Sequence, residues 1–133
     1  MIIKTANLIP LNYDKNQILL FKRAEKDEFY GTWCLPGGTI NQGEKTQRGL
    51  EREIFEETRC KIQNLRFFRE YQTFQNNSQI QSKYYTGNLD GKIIVNPIEL
   101  LESKWFKLNS CLQKLDYSFN HKEIILDYLK YLK

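Results

Sequence analysis

Residues 38–60 constrain the fold of this 133-residue chain more than any other stretch. They read GTINQGEKTQRGLEREIFEETRC, a glycine-containing loop followed by a helical pattern over residues 44–58. Residues spaced i, i+3 and i+4 lie on one face of a helix, so Glu53, Glu56 and Glu57 project together. Like charges at that spacing repel, and a hard divalent cation is a natural partner for carboxylate oxygens. A solvated acidic face is the alternative that the three carboxylates alone leave open.

Composition limits what kind of protein this is. At 133 residues, with 41% apolar and 14% aromatic residues, the chain is expected to form one globular domain over residues 1–133. No apolar run approaches the roughly 18 residues of a membrane span, and the N-terminus lacks a signal-peptide layout. Cys34, Cys60 and Cys111 form neither a metal-binding spacing nor an even set. We therefore expect a cytoplasmic protein with reduced thiols and no membrane partner.

The net charge of +4 suits a polyanionic ligand. There is no basic run, RNA-binding signature or helix-turn-helix pattern, so no nucleic acid polymer is expected as a partner.

Alternating and short apolar segments predict a series of strands around the acidic helix. The predicted strands cover residues 5–11, 17–23, 31–35, 65–74, 80–89, 93–95 and 104–108. The segments 65–74 and 80–89 are expected to form a hairpin, and Pro36-Gly37-Gly38 is expected to be a loop. A last helix is predicted over residues 121–132, with Asn120 as N-cap and Glu123 as its capping-box partner. Strands with two separated helices indicate an α/β architecture.

The acidic stretch resembles the signature box of the Nudix (MutT-type) hydrolases, G-x5-E-x7-R-E-U-x-E-E-x-G-U, in which U is aliphatic. The matching positions are Gly38, Glu44, Arg52, Glu53, Ile54, Glu56 and Glu57. The resemblance implies the Nudix fold, an α/β/α sandwich around a mixed β-sheet, over nearly the whole chain.

Two positions depart from the box, because Arg59 stands where the family has its last glycine and Cys60 replaces the final aliphatic residue. Arg59 must then adopt a left-handed conformation, at about 1–2 kcal/mol, or the helix must end differently. Within the box, Arg52 lies about 100° around the helix from Glu53. We expect it to pair with Glu44 and to fix the loop to the helix.

The resemblance also implies the chemistry. Enzymes with this signature hydrolyse nucleoside diphosphates linked to another moiety, using water activated by Mg²⁺, with Mn²⁺ as a possible substitute. It implies that Glu53 and Glu57 bind the metal directly and that Glu56 is a third ligand or the general base. The backbone carbonyl of Gly38 would be a further ligand.

Positions outside the box are assigned by the same resemblance. Arg23 matches a basic residue that often contacts phosphate, with a surface arginine as the alternative. Glu102 lies in Glu-x-x-Trp-Phe, where an additional glutamate can serve as base or metal ligand, and Glu99 competes for that role. Phe119 and Asn120 fall where MutT-type enzymes contact a purine base, with a plain helix cap as the alternative for Asn120.

The substrate is predicted by elimination. Gly31 to Gly38 resembles the MutT-like nucleoside triphosphate branch, and markers of the ADP-ribose and NADH-cleaving branches are absent. We therefore expect a small-molecule nucleotide, a (deoxy)nucleoside triphosphate cleaved to monophosphate and pyrophosphate, by a monomer or homodimer. An ADP-ribose or nucleotide-sugar pyrophosphatase is the first alternative. A non-catalytic Nudix-type ligand-sensing module and an isopentenyl diphosphate isomerase are alternatives from other classes.

Overall fold

The computed structural model describes residues 1–133, which form seven strands and two α-helices. The strands are β1 (Ile2–Pro10), β2 (Gln17–Arg23), β3 (Trp33–Cys34), β4 (Gly37–Thr39), β5 (Lys61–Gln75), β6 (Ser78–Asp90) and β7 (Leu100–Lys107). The helices are α1 (Thr46–Thr58) and α2 (His121–Tyr131), with a short 3₁₀ helix at Ser110–Lys114 before α2. None of the helices is both long enough and apolar enough to span a bilayer.

The strands divide between two sheets. One has the order β4-β1-β6-β5 and is mixed, because β1 runs parallel to β6 and antiparallel to β4. The other has the order β3-β2-β7 and is antiparallel. An isolated bridge between Leu11 and Ile18 joins the two sheets where β1 turns towards β2.

Each helix covers a different face of the mixed sheet. Leu50 and Ile54 of α1 are fully buried against Ala6 and Leu8 of β1. On the other side, α2 and the antiparallel sheet share a second apolar cluster with the mixed sheet. Its buried members are Ile9, Leu11, Ile18, Leu20, Leu35, Tyr84, Leu112, Ile124, Ile125 and Tyr128. The predicted α/β/α sandwich is therefore confirmed, with its strands distributed over two sheets.

The predicted hairpin is present and is longer than expected. β5 and β6 pair from Lys61 opposite Asp90 to Gln75 opposite Ser78. Asn76 and Asn77 form the turn with φ of 49° and 65°. Two consecutive positive φ values are typical of the type I′ turn, whose twist suits a two-residue hairpin.

The prediction of a loop at Pro36-Gly37-Gly38 is wrong for the two glycines, which form β4 against β1. Gly37 has φ of 146° and lies opposite Asn7. A Cβ atom at Gly37 would lie 2.6 Å from the Asn7 Cα. The absence of a side chain at Gly37 thus permits a close strand pairing. Because glycine more often interrupts strands, the sequence pattern predicted a loop instead.

The predicted strand at Ile93–Val95 is also wrong, because this segment is irregular. Its backbone instead bonds to the end of α1. The Ile94 N–H donates to the Thr58 carbonyl at 3.0 Å, and the Asn96 N–H donates to the Glu57 carbonyl at 2.9 Å. The last carbonyls of a helix lack intrahelical donors, so the segment satisfies groups that would otherwise be unpaired.

The C-terminal end of α1 and the N-terminal end of α2 both differ from ideal caps. Arg59 takes the left-handed conformation, with φ of 64° and ψ of 15°, and its N–H donates to the Phe55 carbonyl at 2.9 Å. At α2, the prediction that the Asn120 side chain caps the helix is wrong, because it makes no capping hydrogen bond. The backbone of Asn120 lacks the extended conformation that side-chain capping requires. The His121 N–H donates instead to the Ser118 carbonyl at 3.1 Å.

Candidate active site

Glu57 is the most deeply buried of the box glutamates, at 6% exposure. The Gly37 N–H donates to its Oε1 at 2.8 Å, which ties α1 to β4. Burial raises the pKa of the Glu57 carboxyl well above its ordinary value, against the lowering effect of the Gly37 bond. The charges of Glu99, Glu53 and Glu56 raise that pKa further. Glu57 is therefore the centre of a cluster of mutually repelling carboxylates.

Arg52 connects the loop before α1 to this cluster. Its guanidinium donates twice to Glu44, at 2.9 and 3.1 Å, so the predicted contact is present. It also donates to the Thr39 carbonyl at 3.1 Å, to Glu53 at 3.1 Å and to Glu56 at 3.4 Å. The contacts with Glu53 and Glu56 were not predicted. The prediction used only the angle of about 100° between positions 52 and 53 around the helix, and the long arginine side chain extends beyond that position.

Gly38 brings the backbone of β4 directly against α1. A Cβ atom at Gly38 would lie 2.6 Å from the Glu53 carboxyl carbon. A side chain at this position would occupy the space of the Glu53 carboxylate. The close approach explains why glycine stands at the first position of the box.

The predicted set of three carboxylate metal ligands is not assembled as these side chains stand. No group of three His, Cys, Asp or Glu side chains is arranged to hold a metal ion. Glu57 faces the Gly37 N–H, whereas Glu53 and Glu56 accept from Arg52. The donor atoms still suit a hard divalent cation, which takes carboxylate and carbonyl oxygens and readily completes its shell with water and phosphate. The charge of Glu57, buried among other acids, is the feature that such a cation would compensate.

Glu99, and not Glu102, faces the carboxylate cluster. Glu99 is half-buried, and burial raises its pKa, as do the charges of neighbouring acids including Glu56. Its charge in turn raises the pKa of Glu57. Glu102 is exposed on β7 opposite Lys22 and is not among the charges that act on Glu57. Of the two glutamates considered from the sequence for the role of base or metal ligand, Glu99 is therefore the better placed.

Arg23 and Phe119 lie together beside this cluster. The Arg23 guanidinium is 4.9 Å from the Phe119 ring centre and donates to Asp27 at 2.7 Å and to Glu25 at 2.8 Å. Phe29 also packs against the Phe119 ring, with centroids 4.6 Å apart. The structure thus joins two of the residues predicted to bind substrate and adds Phe29, which the sequence did not single out.

Asn120 and Phe119 line one end of a shallow depression that runs along the exposed side of α2. The next residue, His121, is buried, and the Leu35 N–H donates to its Nδ1 at 3.0 Å. Burial, followed by the charge of Arg23, lowers the pKa of His121 to about 3. A lone histidine has no partner at a recognisable spacing, so no sequence pattern identifies it as a site residue.

The chain belongs to the NUDIX domain family, whose sequence profile matches residues 2–128. It is 31% identical over 118 residues to the ADP-ribose pyrophosphatase of Methanocaldococcus jannaschii, covering 87% of this chain and 68% of that protein. It is also 31% identical over 86 residues to the NAD-capped RNA hydrolase NudC of Pasteurella multocida. That match covers 64% of this chain and 32% of the relative, so the chain spans about a third of the NudC protein.

Solved structures support the fold. The MutT NUDIX hydrolase from Burkholderia pseudomallei superposes with a TM-score of 0.77 at 21% identity, covering 100% of this chain and 99% of that one. The ORF135 protein of E. coli superposes with a TM-score of 0.83 at 16% identity, covering 97% of this chain and 89% of that one.

Proposed function

We propose that this chain is a divalent-cation-dependent hydrolase that cleaves a diphosphate bond in a nucleotide. The observation that carries the proposal is Glu57, a buried carboxylate whose pKa is raised by burial and by three neighbouring acids. A strongly perturbed carboxylate in a cluster of acids is a frequent mark of a functional site. A structural role alone would favour a neutral side chain at this position.

We assign Glu53, Glu57 and the backbone of Gly38 to holding Mg²⁺, with Mn²⁺ as a possible substitute and Glu56 as a further ligand. The carbonyl and carboxylate oxygens have the donor type that this cation prefers, and Mg²⁺ commonly completes its shell with water and substrate phosphates. The bound cation would neutralise diphosphate charge and acidify water beside it. Arg52, through its contacts with Glu44 and the Thr39 carbonyl, holds the loop against α1 while this occurs.

Glu99 is the residue that we assign as the proton acceptor. Water adds to one phosphorus, the bond from that phosphorus to the bridging oxygen breaks, and the electron pair leaves with that oxygen. The proton of the water passes to the Glu99 carboxylate, whose raised pKa improves its strength as a base. Glu99→Gln should lower kcat by about 10²-fold or more, whereas Glu102→Gln should leave it nearly unchanged. The reverse result would return the role to Glu102.

The favoured substrate is a (deoxy)nucleoside triphosphate, cleaved to the monophosphate and pyrophosphate. Arg23 offers a guanidinium for phosphate or base, and Phe119 offers an exposed ring for stacking. ADP-ribose or a nucleotide sugar is the second candidate, favoured by the M. jannaschii relative, which matches most of this chain and carries that activity in its name. Under either reading the partner is a small molecule rather than a nucleic acid polymer.

A panel of nucleoside triphosphates, ADP-ribose and nucleotide sugars, each with Mg²⁺, tests the proposal. Glu57→Gln and Glu53→Gln should each lower kcat for the best substrate by at least about 10²-fold, because each removes one charge from the cluster while nearly keeping its shape. Glu51→Gln is the matched control, since Glu51 lies exposed on the same helix. Near-wild-type turnover of either box variant at saturating Mg²⁺ would overturn the ligand assignment.

A further inference from the structure

His121, the single histidine of the chain, presents a fixed hydrogen-bond donor beside the candidate active site. The Leu35 N–H donates to its Nδ1 at 3.0 Å. A neutral imidazole that accepts at one nitrogen carries its proton on the other. The geometry therefore defines the tautomer of His121, with the proton on Nε2.

This Nε2–H donor has no acceptor within the protein. Nε2 makes no side-chain hydrogen bond, and yet no side-chain nitrogen or oxygen is both sealed from solvent and unpaired. Nε2 must therefore reach solvent, although the residue is only 4% exposed. With no acceptor in the protein, this donor is satisfied only by a water or by a ligand atom that accepts, and a ligand that fails to accept there would leave the bond unmade, at about 1–3 kcal/mol.

The surroundings of the His121 ring are aromatic. The His121 ring lies 5.6 Å from the Phe119 ring and 6.1 Å from the Tyr84 ring. Phe119 has φ of 51°, a conformation that costs a non-glycine residue about 1–2 kcal/mol. The Ser118 N–H holds this strained loop by donating to the Trp33 carbonyl at 2.9 Å. Backbone strain that the surrounding structure maintains is often found at ligand-binding sites.

His121 and Glu57 are both bound by backbone N–H groups of one short segment, residues 35–37. Leu35, which binds His121, is only two residues from Gly37, which binds Glu57, so the two backbone nitrogens are at most about 7 Å apart. With the 3.0 and 2.8 Å hydrogen bonds added at the two ends, His121 Nδ1 and Glu57 Oε1 are at most about 13 Å apart, a span that one nucleotide can bridge from base to diphosphate. A nucleotide with its diphosphate at Glu57 could therefore bring its base to His121.

We infer that His121 is a specificity-determining residue that donates a hydrogen bond from Nε2 to an acceptor atom on the base of the nucleotide. The inference rests on the proposed function. A keto oxygen at the position facing Nε2 accepts the bond, whereas an exocyclic amino group there opposes donor to donor and leaves both unpaired. His121 thereby favours oxo bases over their amino counterparts.

The first test uses the imidazole signals of ¹⁵N-labelled protein, which belong to His121 alone because the chain has one histidine. The probes are the α,β-methylene analogues of inosine and adenosine triphosphate, with Mg²⁺, and inorganic tripolyphosphate as the control without a base. The Nε2–H resonance should shift on addition of the inosine analogue and stay unchanged with tripolyphosphate. A resonance that responds equally to tripolyphosphate, or to no nucleotide, would overturn the inference.

The second test uses His121→Asn, whose side-chain oxygen can still accept from Leu35 but which has no donor at the position of Nε2. Inosine and adenosine triphosphates differ at carbon 6 as oxo and amino bases, and uridine and cytidine triphosphates differ in the same way at carbon 4. The wild type should prefer the oxo member of at least one pair in kcat/KM. The variant should bring that ratio closer to one by up to about tenfold.

The outcomes separate the two proposals. If the wild type hydrolyses no nucleotide, the proposed function fails, and the resonance still decides whether a base reaches His121. If hydrolysis occurs but His121→Asn keeps the wild-type ratio, the inference fails and the proposed function stands. A variant that does not fold leaves the decision to the resonance of the wild type.

Discussion

At the scale of single residues, the candidate site contains two titratable groups whose pKa values are shifted in opposite directions by the same cause. Burial raises the pKa of Glu57 and lowers that of His121 to about 3, so burial favours the neutral form of each. They differ in what surrounds them. Other acids face Glu57, whereas aromatic rings and the Arg23 guanidinium are near His121.

The His121 shift predicts a dependence of stability on acid pH. The unfolded chain binds a proton at His121 near pH 6.5 and the folded chain does not until about pH 3. Stability contributed by neutral His121 is therefore present above pH 6.5 and is lost as pH falls. Between pH 6.5 and 5 the loss should be about 2 kcal/mol, at about 1.4 kcal/mol per pH unit. Urea unfolding of wild type and His121→Asn at both pH values measures it.

Glu57 contributes to the pH dependence in the opposite direction, and His121→Asn leaves that contribution in place. Its raised pKa means that the folded state takes up a proton there as pH falls. That contribution is common to both proteins and cancels in the difference. Parallel stability curves for wild type and His121→Asn would show that the histidine is not held neutral.

At the scale of elements, the residue that follows α1, Arg59, adopts a conformation that non-glycine residues tolerate poorly. Arg59 has φ of 64°, and its guanidinium lies 5.5 Å from the Phe55 ring. Arg59→Gly should raise the free energy of unfolding by about 1 kcal/mol, because glycine adopts this conformation without a Cβ penalty. Arg59→Ala keeps the penalty and should give no gain. Equal changes in the two variants, measured by urea unfolding, would exclude this explanation.

Elements with a local pattern could be predicted from sequence. β2 was predicted at its observed bounds, residues 17–23, because an apolar run is enough to define it. The glutamate face of α1 and its buried Leu50 and Ile54 follow from the helical period in the same way.

The failures share a different origin, because each depends on a group distant in the sequence. β4 is a strand only because β1 accepts two glycines at close range. The segment 93–95 bonds to the C-terminal end of α1 and belongs to no sheet. His121 matters through Leu35, which lies 86 positions earlier. The hydrophobic periodicity of a single helix or strand does not report such contacts between distant residues.

At the scale of the whole molecule, binding of a cation should appear as added stability. A ligand that binds only the folded state stabilises it by about 2.7 kcal/mol at 100 times its Kd. Mg²⁺ should therefore raise the Tm of the wild type and of Glu51→Gln. Glu57→Gln should lose most of that rise, and without Mg²⁺ it should melt at or above the wild type, because a buried charge is removed. Differential scanning calorimetry with and without Mg²⁺ measures each effect.

The same Tm rise in Glu57→Gln as in the wild type would mean that Mg²⁺ binds elsewhere. This measurement needs no substrate, so it tests the metal assignment independently of the reaction.

The bonds from Ile94 and Asn96 to the end of α1 also determine when the acidic helix can be completed during synthesis. The helix leaves the ribosome early, but the donors for its last carbonyls arrive about forty residues later. β1 likewise cannot form its parallel pairing until β6, which begins at Ser78, has been made. Non-local pairing of this kind slows folding. The cluster of carboxylates therefore forms only after most of the chain has been made, when Glu99 can join it.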